Sequence, residues 1–411
     1  MTKIIPFTAV RPTRDKAGLV ASRPYEDYMP GELTAQLEYN PFSFLHIINP
    51  GYKYQHSITG DKRFQLVKNR YLEFKEDNIF IKDEKPSYYI YKVVSRTNTF
   101  CGIIAAASVE DYENNVIKKH EDTIALRENL FKDYLKTVGF NTEPVLLTYP
   151  DSEVINGIIA EEIKKRPEYE FSTYNKELHY LWKIDDAESI GKIKVEFEKM
   201  PEIYIADGHH RSASSYLLAK ELKSENPVHT GEEPYNFFMS FLIAESELRI
   251  YEFSRLVKDL NGYTKEEFLI QLDEWFRIEN RGHDVYYPSK KHHFNMYLDG
   301  DFYSLYLRRT NYEFTDSLSS LDTYILYEKI LKPILGIDDL RNDNRIAYIH
   351  GKNDLVEIKS MVDQGNYAVG FGMLPLNVEE LKQVADEGLI MPPKSTYIEP
   401  KLRSGLTIYE F

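Results

Sequence analysis

The chain has 411 residues, enough for two or three packed units with a large apolar core. Its 65 acidic against 51 basic residues leave a formal charge of −14, which disfavours general contact with nucleic acid or an anionic membrane surface. A single cysteine, Cys101, excludes an intrachain disulfide and points to a reducing, cytoplasmic setting, while 32 tyrosines and 22 phenylalanines argue against disorder.

The opening MTKIIPFTAVRPTRDKAG meets a proline and charges before any apolar run develops, so no signal peptide is expected. No stretch approaches the ~18 consecutive apolar residues of a membrane-spanning helix. Up to about residue 100 the pattern is irregular: NPFSFLHI with an Asn-Pro turn, then a helical RFQLVKNRYLEFKED, then the strand-like SYYIYKVVS. FCGIIAAAS is a second strand that ends on Ser108, a candidate helix cap, and VEDYENNVIKKHEDTIALRENLFKDYLKTVG reads as one long helix, or two, closed by Gly139. PVLLTY, ELHYLWKI and EIYIADG follow as strands, with helices over SEVINGIIAEEIKKR and DAESIGKIKVEFEKM between them. KSENPVHTGEEPYN, with two prolines and a glycine, is the predicted domain boundary.

Beyond it come the apolar FFMSFLIAE, a helix over TKEEFLIQLDEWFRIE, and a hairpin HHFNMYLDGDFYSLYLRR turned by Asp-Gly. A helix near LDTYILYEKILKPIL, the strand RIAYIHG, the helix LVEIKSMVDQG, the strand YAVGFGM and the helix NVEELKQVADEG complete the pattern. This alternation predicts an α/β or mixed α+β architecture with mixed sheets. The expected divisions are a phosphate-binding catalytic region over 1–225, an α+β accessory domain over 226–365, and a C-terminal segment over 366–411 that returns to the site.

The chemistry concentrates in YIADGHHRSASSYLLAKEL. Ala213, Tyr216 and Leu217 share one face, which predicts a helix with His209, His210 and Arg211 in its first turn. Backbone N–H groups without intrahelical partners and the positive end of the helix dipole gather there and attract anions. Gly208 allows close backbone approach, and Arg211 can grip phosphate oxygens in a bidentate manner. Asp207 has three open roles: helix cap, orienter of a histidine, or ligand of a phosphate-bound Mg²⁺. His209 and His210 either transfer protons near neutral pH or pack against aromatics.

On the expected long helix, Ile117, Ile124 and Phe131 share a face that also takes His120 and Glu121. A carboxylate facing inward is costly unless it is paired or in a wet cleft, so Glu121 is a candidate base, with a buried ion pair or a helix break as the alternatives. Lys118 and Lys119 are either solvated or escort an anion. MPPKSTYIEPKLRSG gathers Lys394, Ser395, Thr396, Lys401 and Arg403 in a proline-stiffened loop, which is either a solvated tail or a strap adding positive charge over the DGHHR helix. The His-His pair of SKKHHFN precedes a strand and reads as a sheet-edge cap. No CxxC, HExxH or GxxxxGK[ST] string supports a zinc hydrolase or P-loop.

DGHHRSAS resembles the glycine-x-x-arginine box of the ParB/sulfiredoxin-like superfamily, and its nearest characterised branch is the free-serine kinases. The resemblance implies a ParB/sulfiredoxin-like core and phosphoryl transfer to free L-serine, with Mg²⁺ and either a nucleotide (ATP or ADP) or pyrophosphate as donor. It places the phosphate on Gly208, His209, His210 and Arg211, where the C-terminal loop would add Lys394, Ser395 and Thr396 on the residue reading above, and it makes Glu121 the base beside His120. Sulfiredoxin has a cysteine where this chain has His209, so redox chemistry is not implied. NPFSFLHI, IKKHEDT, YIADGHHR and MPPKSTYIEPKLRSGL together resemble a bacterial family of unknown function along nearly the full length. Two competing expectations share the phosphate pocket: a ParB-like nucleotide-binding regulatory protein, and a phosphatase or nuclease in which water replaces the acceptor hydroxyl.

Overall fold

Strands and helices alternate as the apolar pattern requires, and the computed structural model, which describes residues 1–350 and 354–411, is of the mixed α/β class. Two units divide the chain: Met1–Lys119, Thr123–Leu248 and Pro400–Phe411 form the first, His120–Asp122 and Arg249–Glu399 the second.

Among the described residues the first unit has a nine-stranded mixed sheet. Its order is Ile117–Lys118, Ile203–Asp207, Val145–Tyr149, Phe237–Ala244, Thr99–Ser108, Tyr88–Val94, Leu178–Ile184 and Tyr169–Ser172, with Ile4–Ile5 beside Thr99–Ser108. Phe237–Ala244, apolar except for Ser240, is buried at every position, as a near-continuous apolar run is when both faces of a sheet are covered. Gly102 is obligatory here: a Cβ would stand 2.4 Å from the Leu242 carbonyl oxygen and 2.6 Å from the Phe241 ring. Ile155, Ile193 and Phe197 from helices Glu153–Glu162 and Ala187–Lys199 pack with Tyr149, Ile203 and Ile205 from the sheet. A second cluster joins Phe44, Val67, Tyr71 and Phe140 to Ile408 of the C-terminal segment.

The second unit holds a six-stranded antiparallel sheet in the order Phe276–Gly282, Asp301–Leu307, His293–Leu298, Val369–Met373, Phe253–Val257 and Ile346–His350. Helices Lys265–Asp273 and Val378–Asp386 open with reciprocal capping boxes, Thr264 with Glu267 and Asn377 with Glu380. The Asp-Gly hairpin forms as expected, with Asp299 and Gly300 both at positive φ, 49° and 85°.

Two expectations are corrected. The boundary after residue 225 is displaced, because Phe237–Ala244 pairs with both Val145–Tyr149 and Thr99–Ser108 and the units part between Leu248 and Arg249. The C-terminal segment is not one piece: residues up to Glu399 belong to the second unit, and only Pro400–Phe411 returns to the first. Of the two readings of 109–138 the second holds: Val109–Glu113, capped by Ser108, and Ala125–Val138, closed by Gly139, are separate helices, with the unexpected strand Ile117–Lys118 between them. Asn115 adopts φ +57°, a conformation asparagine tolerates, and turns the chain so that Ile117 is buried beside Ile203. His120 and Glu121 therefore lie in a connection, not on a helical stripe, and Phe131 of the supposed stripe is exposed.

Glu410 anchors the returning segment: its carboxylate accepts from Lys75 and Tyr71 at 2.7 Å each and from Lys82 at 2.9 Å. Burial raises its pKa, but the two ammonium groups and the phenol outweigh burial and hold it at about 2 against an ordinary 4.5. A carboxyl so lowered contributes stability above pH about 4.5 that is lost as the pH falls towards 2. Glu410→Gln is expected to lose stability at pH 7 and to show a shallower loss on acidification, read from urea unfolding at pH 7 and pH 3. Equal pH dependence in the two proteins would contradict this anchor. No helix among the described residues is long and apolar enough to cross a membrane.

Candidate functional site

Ile203, Tyr204, Ile205 and Ala206 are buried because Ile203–Asp207 runs inside the sheet, parallel to Ile117–Lys118 and antiparallel to Val145–Tyr149. The register with the latter slips between Ile205, opposite Leu147, and Asp207, opposite Leu146. Such a bulge re-aims the residues that follow it. Asp207 leaves the buried strand with its side chain 39% exposed.

Gly208 then turns the chain at φ +103°, a region that side chains rarely adopt, and His209 begins a helix that runs to Glu225. The helix lies close to the first unit's core because Ser212, Ala213, Ser214 and Ser215 are small and buried, and the hydroxyls of Ser214 and Ser215 return to the carbonyls of His210 and Arg211. Its start is unlike those of the helices capped by Ser108, Ser152, Asp186, Thr264 and Asn377: Gly208 has no side chain to cap it, and the first turn has no acidic residue. The positive end of this dipole is left without the neutralisation that those five helices supply.

Cations gather around that end. Arg211 donates through Nη2 to Asp207 Oδ2 at 2.7 Å and through Nη1 to the Pro144 carbonyl at 2.8 Å. Lys401 Nζ, from the returning C-terminal segment, lies 3.2 Å from Asp207 Oδ1. Burial raises the Asp207 pKa, but the Lys401 and Arg211 charges overcome it and hold the carboxyl at about 2. Lys119 follows the neighbouring strand and rests its ammonium 4.1 Å from the centre of the Tyr112 ring; burial lowers its pKa. Lys118 is committed elsewhere, 2.9 Å from Glu202.

His209 is buried, and its pKa falls to about 3; burial is the main cause, the Asp207 carboxylate opposes it, and the charges of His210, Arg211 and Lys119 reinforce it. It remains a neutral imidazole across the neutral range, with one donor and one acceptor. Both Asp207 oxygens face cations, Oδ2 the Arg211 guanidinium and Oδ1 the Lys401 ammonium. Half-buried His210 follows His209 in the first turn of the helix.

His120 and Glu121 connect Ile117–Lys118 to Ala125–Val138, and the His120 carbonyl accepts from Met391 N–H at 2.9 Å within the second unit. Lys118 pairs in parallel register with Tyr204.

Lys394, Ser395 and Thr396 belong to the second unit, where the first two are bound into its packing. Ser395 is fully buried and donates to the Pro392 carbonyl at 2.7 Å, and the Lys394 carbonyl accepts from the buried Arg255 at 3.1 Å. The Lys394 ammonium lies 5.2 Å from the Phe253 ring centre. The cation that reaches the DGHHR helix start from the basic tail is Lys401, seven residues on from Lys394; Arg403 instead clamps His179 and Glu177, at 3.1 and 3.2 Å. No local period in the sequence distinguishes Lys401 from its neighbours.

Lys401→Met is expected to raise the Asp207 pKa from about 2 towards the ordinary carboxylate range, with Arg211 still paired to it. Carboxyl carbon NMR across an acid titration reads this directly. An unshifted Asp207 would remove Lys401 from the site.

Residues 4–324 match a family described as a protein of unknown function, DUF1015. No curated protein matches the chain. Among solved structures, SbnI with a C-terminal truncation from Staphylococcus aureus aligns with a TM-score of 0.40 at 13% identity, over 74% of this chain and 87% of that one. A free serine kinase variant in complex with AMP aligns with a TM-score of 0.36 at 12% identity, over 74% and 92% of the two chains. A conserved hypothetical protein from Pyrococcus furiosus gives 0.35 at 11%, over 76% and 97%.

Proposed function

The chain belongs to the DUF1015 family of proteins of unknown function, and from that premise we propose that it is a small-metabolite phosphotransferase acting on free L-serine, with ATP, ADP or pyrophosphate as donor. The observation that carries this reading is the uncapped helix start at Gly208, with Arg211 and Lys401 held on one carboxylate beside it. A phosphoryl group bound there would meet the first-turn amides and draw the Arg211 guanidinium from Asp207, and Lys401 and Lys119 would supply further positive charge. Neutral His209 would donate or accept one hydrogen bond, with no proton gained or lost. ParB/sulfiredoxin-like architecture and the base role of Glu121 come from the sequence resemblance.

In the transfer, the acceptor hydroxyl loses its proton to Glu121 as its oxygen forms a new bond to phosphorus. The bond from phosphorus to the donor's bridging oxygen breaks, and the electron pair leaves with the shortened donor. Such a reaction asks the protein chiefly for positioning and charge neutralisation.

The test is incubation of the protein with L-serine and each of ATP, ADP and pyrophosphate, with and without Mg²⁺, followed by phosphorus NMR. Phosphoserine is expected with at least one donor, and loss of a general base typically costs about 10² to 10⁴ in rate, so Glu121→Gln should fall in that range. Donor hydrolysis without phosphoserine would move the reading to a hydrolase. Tight nucleotide binding without turnover would move it to a regulatory protein.

A further inference from the structure

A second concentration of positive charge lies wholly within the second unit. A cavity of about 1060 Å³ there is lined by Arg277, Lys290, Lys291, Arg308 and Arg309 against the single carboxylate of Glu279. It stands out in a chain whose formal charge is −14. Three of these cations are partly neutralised: Arg277 pairs with Glu279, Lys291 with Glu380 at 2.8 Å, and Arg308 with Asp273 at 2.8 Å. Lys290 and Arg309 are exposed and form no ion pair among the described residues.

His292 fixes the cavity wall. Its backbone stands at φ +66°, a strained conformation for a residue with a Cβ, and persists only where the surroundings over-determine it. Three contacts do so. Its N–H donates to Asp322 Oδ1 at 2.8 Å, its carbonyl accepts from Leu307 N–H at 3.0 Å, and its ring packs against those of Tyr312 and Phe314 with centroids 4.9 and 4.8 Å apart. The Lys290–Lys291 pair is thereby held against the turn that carries Arg308 and Arg309. His293 and Tyr306, in edge contact at 4.7 Å, complete the lining with Tyr312, whose ring is exposed.

We propose that this cavity binds a polyphosphate anion, inorganic or carried by a nucleotide, independently of the helix start at Gly208. Like charges gathered around one concave surface repel until an anion with several charges joins them, and arginines suit phosphate oxygens through their forked donors. The volume is that of a small-molecule site. The residues are the SKKHH string and the hairpin end that faces it, neither of which the phosphotransfer reading uses.

The experiment is isothermal titration of the full chain with inorganic tripolyphosphate and, separately, with ATP. It compares the unaltered protein, the double variant Lys290→Glu with Arg309→Glu, and Arg211→Ala. The expected result is a binding component weakened at least about tenfold in the double variant, kept in Arg211→Ala, and weakened by added salt. Tighter ATP than tripolyphosphate would make the nucleotide the source, and equal or weaker ATP the inorganic chain. Both altered residues are exposed, and the neutral pair Lys290→Gln with Arg309→Gln should bind with intermediate affinity, which decides the matter if charge reversal disturbs folding. Identical titrations of the unaltered protein and the glutamine pair, or a component lost in Arg211→Ala, would overturn the proposal.

Discussion

Gly208→Ala is expected to leave a folded protein whose phosphoserine formation falls at least about 100-fold. The glycine stands at φ +103°, where an alanine costs about 1 to 2 kcal/mol, too little to unfold a domain of ordinary stability. The added Cβ would lie 2.9 Å from Arg211 Nε and 3.0 Å from Nη2. Those atoms end a flexible side chain, so the guanidinium yields and the backbone does not. Arg211 would be pushed from Asp207 Oδ2 and from the Pro144 carbonyl, and the amide corner would gain a methyl group where a phosphate oxygen has to approach. Two charge-assisted hydrogen bonds at about 1.5 kcal/mol each correspond to roughly 100-fold. Thermal melting and turnover, measured on the same preparation, separate the two effects. A variant with normal turnover would show that nothing reacts at this corner.

The second large effect is expected from ending the chain at Glu399. The lost residues fill buried positions in the first unit: Leu406 is 2% exposed, Ile408 is fully buried and Tyr409 is 5% exposed. Removing large apolar side chains from a core costs about 2 to 5 kcal/mol each, so three of them reach the whole stability of a typical domain. The deletion also removes Glu410 from Lys75 and Lys82, Arg403 from His179 and Glu177, and Lys401 from Asp207. The first unit is expected to lose cooperative unfolding, seen as a missing or strongly lowered thermal transition. Lys401→Met alone should melt within a few degrees of the unaltered protein, because it touches the site and not the core. A shortened chain that melts normally would contradict the strap.

The elements visible in the sequence are those whose cause is local. Asp299-Gly300 marks its hairpin because those two residues accept positive φ, Ser108 marks a helix start with its own hydroxyl, and the apolar run ending at Asp207 with a glycine after it marks the strand, turn and helix of the site. The elements that escaped are set by distant partners. Ile117 continues a helical period on paper, yet it is buried in a strand beside Ile203, eighty-six positions away. The helix read over TKEEFLIQLDEWFRIE stops at Asp273, because Phe276–Gly282 pairs with Asp301–Leu307 and its residues serve a sheet. The site divides in the same way. Asp207, Gly208 and Arg211 lie within five residues of one another and are visible together, whereas Lys401 is only one of several loop candidates in the sequence, and the fold of the first unit selects it for Asp207.

The central claim is that an oxyanion is drawn to the amides that open the helix at His209, with Arg211 turning from Asp207 to meet it. A crystal structure of the protein determined with pyrophosphate tests it most directly. The expected result is an anion within hydrogen-bonding distance of the backbone N–H groups of residues 209 to 211, with the Arg211 guanidinium on its oxygens. A saturated crystal in which that corner holds no anion, and Arg211 still bonds Asp207 and the Pro144 carbonyl, would contradict it.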